Sequence, residues 1–200
     1  MLAALLLTTL LAATPKDPGK TFTHPDLGYT VLHPSDWTVN DRPELEGDDD
    51  KEPTEEEKRD RRNRGSAPKL TEAATNFFAP LAGEDDLFPE MLSVYAHELE
   101  RPLPVNLAAE VVKIFMEAIG ANLEHRKAGI RFAGQDAEEL TWSMTVPHPL
   151  DDDRQLSLRA VQYVIVSNNY ALAATFIFEA DQIGEYRPTF ETMRDSFRVQ

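Results

Sequence analysis

Residues 137–146 read AEELTWSMTV, and this stretch decides the fold. Leu140, Trp142, Met144 and Val146 fall on one side of an extended chain, with Thr141, Ser143 and Thr145 on the other. Strict alternation is the signature of a strand with one face in a core. To its C-terminal side, Leu156–Val166 and Tyr170–Phe178 are two further extended runs joined by Ser167-Asn168-Asn169. Asparagine tolerates the left-handed backbone that a tight hairpin requires. In the second run Tyr170, Leu172, Ala174, Phe176 and Phe178 share a face. To the N-terminal side, residues 126–132 form another strand, closed by Gly134. The segment 147–153 (PHPLDDD) reads as the loop of the hairpin that follows residue 146.

Further outward, Met91–Leu99 alternates Leu92, Val94 and Ala96 against Ser93, Tyr95 and His97, while Thr75–Pro80 carries Phe77 and Phe78. Residues 21–39 read as short strands around the turns Pro25–Gly28 and Pro34–Asp36. Two segments have helical spacing. Leu107, Val111, Ile114, Phe115, Ala118 and Ile119 predict an apolar helix face between an Asn106 cap and a left-handed Gly120. Ile183, Tyr186, Phe190, Met193 and Phe197 predict a second, its regular part running from Pro188 to about Ser196. Hairpin-linked strands with two amphipathic helices predict an α+β fold, an antiparallel sheet with helices packed on its faces.

The whole chain has 200 residues with 20 basic and 35 acidic side chains, a net charge of −15, which argues against binding to phosphate backbones or anionic lipid. It has no cysteine, which excludes disulfides, thiolate metal sites and thiol nucleophiles. Residues 1–15 (MLAALLLTTLLAATP) are uncharged. The apolar run 2–13 is too short to span a bilayer and has the length of a signal-peptide core, although no basic residues precede it. The expectation is an exported protein, periplasmic or extracellular, with no transmembrane span once the segment is removed; if the segment is not a signal peptide, the protein is cytoplasmic. Residues 16–200 then form one domain, interrupted at 44–65 by a solvated, disordered insertion with ten acids, six bases and a single apolar residue, Leu45.

Several motifs resemble those of PsbP-like and DcrB-like domains. The run Tyr29-Thr30-Val31-Leu32-His33-Pro34-Ser35-Asp36-Trp37 is similar to their opening strand, turn and tryptophan. Gly134-Gln135-Asp136-Ala137 with Leu140 is similar to their central element. Tyr170-Ala171-Leu172 through Phe176, then Thr189–Met193 and Ser196-Phe197, is similar to their ending. The resemblance covers residues 21–39 and 75–199 and implies an α/β/α sandwich with a central antiparallel sheet. The family has no common chemistry. Its members include photosystem assembly factors, a small-GTPase binder, chaperones for secreted effectors and exported lipoproteins of unknown role, so fold alone assigns no activity.

The sequence carries few signals of chemistry. No Gly-x-Ser-x-Gly occurs, and His33 and Ser35 flank a proline in a turn. The histidines at 24, 33, 97, 125 and 148 have no metal-ligand spacing, the acid triplets 48–50 and 151–153 are contiguous rather than alternating, and no phosphate-binding glycine motif is present. Trp37 and Trp142 read as core. Gln162 interrupts an apolar row, and Ser93, Tyr95 and His97 form a mixed polar strip. No catalytic, cofactor-binding or metal residue is assigned, and no cofactor is expected. The expectation is a non-catalytic binding or chaperone/assembly-type module of the bacterial envelope, its partner a protein or apolar ligand and not nucleic acid. The alternative is a small-ligand or metal-dependent enzyme whose Asp, Glu and His converge only on folding.

Overall fold

A computed structural model describes residues 19–42, 72–81, 88–99, 101–148 and 151–200. The signal-like segment 1–15 and the charged insertion 44–65, with its Asp48–Asp50 triplet, lie outside these residues.

Ten strands and two helices are described. In chain order they are β1 (Lys20–Thr23), β2 (Tyr29–His33), β3 (Thr38–Arg42), β4 (Glu72–Phe78), β5 (Met91–Glu98), α1 (Val105–Ala118), β6 (Asn122–Phe132), β7 (Gln135–His148), β8 (Asp151–Ser167), β9 (Tyr170–Glu179), α2 (Ile183–Ser196) and β10 (Arg198–Val199). The fold is α+β. Seven strands form an antiparallel sheet in the order β3-β4-β5-β9-β8-β7-β6, and a second sheet has the order β1-β2-β10.

The centre of the large sheet explains the sequence pattern. β8 and β9 are paired on both sides and apolar on both faces, as strands buried front and back must be. Along β9, Leu172, Ala174, Phe176 and Phe178 enter one hydrophobic cluster, with Phe77, Leu92, Val94, Phe190, Met193 and Phe197. The intervening Ala171, Ala173 and Ile177 enter another, with Leu140, Trp142, Ala160, Val164 and the helix residues Ala108, Ala109 and Met116. Helix α1 therefore covers one side of the sheet, and α2 with the small sheet covers the other. The Asn168-Asn169 hairpin has φ of 49° and 65°, as expected for asparagines in a tight turn. At the opposite extreme, β6 is an edge rich in charge. Its register shifts twice, and Gly129 sits at φ +69° within the second irregularity.

The small sheet is pinned by the chain's end. Ser196 Oγ donates to the Met193 carbonyl at 2.7 Å and accepts the Leu32 amide at 2.9 Å, so one hydroxyl ties α2 to β2. Beside it, Phe197 is fully buried and stacks on Tyr29 at 5.3 Å.

Four local expectations are corrected. The face of α1 expected in the core points outward: Leu107, Val111, Ile114, Phe115 and Ile119 are 48–64% exposed, and Ala108, Ala109 and Met116 are the buried positions. Small residues let the helix approach the sheet closely, and periodicity reports only that apolar residues share a face, not what that face meets. Pro104, not Asn106, occupies the N-cap, and no side chain caps the helix; the Asn106 carbonyl instead accepts a bond from Arg126. Gly120 at φ +90° ends the helix as expected. Helix α2 begins at Ile183, with Pro188 inside it. Pro188 and Gly184, one turn earlier, are both exposed, so water can satisfy the carbonyl that proline leaves unbonded. Finally, the segment expected as a loop at 147–153 is largely strand, with His148 paired to Asp151 across a register shift.

Candidate functional site

A cleft of about 260 Å³ opens where α2 crosses the large sheet. Alternation in β8 sends Val161 and Tyr163 to this side, and alternation in β9 sends Phe176 and Phe178 there. Ile183 and Phe190 of α2 close the apolar wall, while Glu139, Arg187, Glu191 and Arg194 form a polar rim. The floor is aromatic: Phe190 lies 5.1 Å from Phe176 and 5.5 Å from Phe178, and Tyr163 meets Phe176 edge-on at 6.2 Å. Trp37 braces the back of Phe190 edge-on at 6.3 Å and is buried, which bears out its reading as core.

The one titratable group in the cleft floor is held neutral. Burial pushes the Tyr163 phenol up to about 12, and the nearby Glu139 charge adds to this, against a smaller opposing effect of Arg194. Burial alone would lower the Arg194 guanidinium. Hydrogen bonds to Asp195 and Tyr163 outweigh it, and the group stays charged. Neither is a general base at neutral pH. The arrangement sets a charged rim beside packed aromatic side chains.

The histidines do not gather. Among the described residues no group of three or more His, Asp or Glu side chains could hold a metal ion. A cluster around His24 has the composition of a catalytic triad but not its function. Thr75 Oγ1 donates to Asp41 Oδ1 at 2.8 Å, and His24 Nε2 lies 3.6 Å from the same oxygen. However, His24 Nδ1 accepts the amides of Asp26 and Leu27 at 3.2 and 3.1 Å, and the residue is 2% exposed. Its remaining lone pair is spent on a turn, so no substrate proton can be taken there. Burial holds the neighbouring Tyr29 phenol far above its ordinary range.

Gln162 belongs to a buried polar chain. Its amide oxygen accepts the Trp142 indole N–H at 3.1 Å and its amide nitrogen donates to Thr175 at 2.9 Å, all three buried side by side on β7, β8 and β9. Tyr95, from the mixed strip, packs partly buried against the cluster beneath α1, and Ser93 and His97 are half-buried. Asp151–Asp153 fall at the start of β8. The sequence reading missed the cleft, whose wall is drawn from three strands and a helix. The apolar faces of β9 and of α2 were its sequence signals.

No protein-family model matches the chain, and no curated protein matches it. Solved structures do. The solution structure of cyanobacterial PsbP (CyanoP) from Synechocystis sp. PCC 6803 aligns over 90% of this chain and 92% of that one, at 18% identity and a TM-score of 0.54. The crystal structure of LpqN, involved in cell envelope biogenesis of Mycobacterium tuberculosis, aligns over 90% of each chain at 12% identity and a TM-score of 0.46. The chain has a PsbP-like fold. Among the described residues no helix is long and apolar enough to cross a membrane.

Proposed function

We propose that this chain of PsbP-like fold is a non-catalytic binding module of the bacterial envelope that holds an apolar group of a ligand or partner protein in the cleft under α2. The observation that carries this reading is the cleft itself: an aromatic floor and a rim of two arginines and two glutamates. The layering fits an α/β/α sandwich in which the small sheet shares a layer with α2. On the sequence, residues 1–15 act as an export signal and residues 44–65 as a solvated insertion within a single domain.

Binding is tested with the fluorescent amphiphile anilinonaphthalene sulfonate, whose aromatic body suits the floor and whose anionic head suits Arg187. Val161 is half-buried on the wall, so Val161→Trp fills the cleft from its open side. Saturable binding that weakens about tenfold or more in Val161→Trp, at an unchanged unfolding temperature, supports the reading. Equal binding by both proteins removes it. Export is checked by the N-terminal mass of the chain recovered outside the cytoplasm: a start near Thr14 supports it, and an intact Met1 retained inside refutes it.

A further inference from the structure

We infer that the outward face of α1 is a self-association surface, on which a second copy of this chain packs its own α1 in antiparallel, two-fold fashion. The helix has three sectors. Ala108, Ala109 and Met116 meet the sheet, Asn106, Glu110, Lys113 and Glu117 form a polar edge, and Leu107, Val111, Ile114, Phe115, Ala118 and Ile119 form an exposed apolar band. The band recurs at intervals of three and four residues, the seam spacing of two helices packed knobs into holes.

The size of the band argues for a second copy. Its five large side chains are 48–64% exposed. They present on the order of 500 Å² of apolar surface, toward the upper end of what a monomer leaves uncovered. Two such faces together remove about 1,000 Å², the lower bound for a specific interface. Two-fold pairing is also geometrically economical: antiparallel helices crossing near Lys113 place Leu107 against Ile119 and Val111 against Phe115, each contact made twice. The charges beside the seam are already matched within one chain, Glu110 by Arg126 at 2.5 Å and Lys113 by Glu117 at 3.0 Å. Two chains of charge −15 therefore meet there without unpaired like charges in contact. A lipid surface is the poorer occupant, because helices that lie in a membrane interface carry several Lys or Arg on their polar face and this edge carries only Lys113. The surface lies on the opposite side of the sheet from the cleft, so it stands or falls independently of the proposed ligand site.

The test is sedimentation velocity of the intact chain up to about 100 µM, which spans the affinities of small interfaces. The expected result is a concentration-dependent species of twice the monomer mass. It is abolished by Ile114→Asp and, separately, by Phe115→Glu. Both positions are exposed, so the variants keep the monomer's circular dichroism and unfolding temperature. Because the chain has no cysteine, single replacements then report geometry. Ile114→Cys, beside the two-fold axis, crosslinks to a disulfide dimer under mild oxidation, and Ala118→Cys, a full turn further from the axis, does not. A monomer at all concentrations, a dimer unaffected by Ile114→Asp and Phe115→Glu, or co-sedimentation with phosphatidylcholine vesicles in place of dimers overturns the inference. Equal crosslinking at both positions overturns the antiparallel arrangement.

Discussion

At the level of single residues, one set of buried polar groups is held by partners on neighbouring strands. The Trp142–Gln162–Thr175 chain crosses three central strands, and each member has a neighbour on the next. Replacing Gln162 with leucine strands the Trp142 N–H in an apolar layer, and the expected loss is about 1–3 kcal/mol of stability, read as a lower urea midpoint at unchanged slope. Trp142 and its face were legible in the alternation of residues 137–146. Gln162 was legible only as an interruption, because its partners arrive from strands 13 and 20 residues away. His33 gives a pH-dependent counterpart. Burial lowers its imidazole below the ordinary 6.5, Lys20 adds to the shift, and the Pro34 carbonyl at 2.8 Å opposes it. A histidine depressed in the folded state binds fewer protons there than when unfolded. Stability is therefore full above pH 6.5 and declines as the pH falls toward the lowered value. Urea midpoints at about pH 7.5 and about pH 5 should differ less in His33→Gln than in the parent chain.

Among the secondary-structure elements, both helices carry the same kind of apolar stripe and use it in opposite ways. For α2 the stripe seats Phe190 and Met193 in the core, with Ile183 and Tyr186 packed against it, as its spacing predicts. For α1 the stripe stays outside and alanines do the packing. A helical period fixes relative orientation among side chains, but the surface that each face meets is set by the strands beneath, which lie far off in sequence. A paired substitution separates the two assignments. Ala109 is fully buried against the sheet, so Ala109→Leu overfills that contact and should cost about 1–3 kcal/mol. Val111, 59% exposed, should tolerate serine to within about 0.5 kcal/mol when thermal unfolding is followed at concentrations low enough to keep the chain monomeric. Had the helix packed as its periodicity suggested, the two effects would be exchanged. Pro188 shows the converse error: local chemistry placed a helix start where Ile183 and Tyr186, gaining burial one turn earlier, extend the helix through the proline.

Across the whole molecule, burial is graded from the centre of the large sheet to its edges. β9 and β8 have paired strands on both sides and apolar clusters on both faces, whereas β6 is, among the described residues, paired only to β7, is mostly exposed and is broken by two register shifts. A backbone amide exchanges its hydrogen through the smallest opening that frees it. For Ala173 or Val164, both essentially buried mid-sheet, no opening smaller than separation of the two clusters suffices. These amides should exchange only through global unfolding, at a free energy of about 5–15 kcal/mol for a domain of this kind. In β6, fraying from the Gly129 irregularity exposes Lys127 and its neighbours while both clusters stay closed. Hydrogen exchange followed by NMR should thus rank β9 and β8 slowest and β6 among the fastest strands. Mild denaturant should accelerate the slow set with the slope of global unfolding and leave the β6 amides nearly unaffected. Equal protection in β6 and β9 would mean that the edge is covered in solution, and that the open margin of the sheet is itself a contact surface.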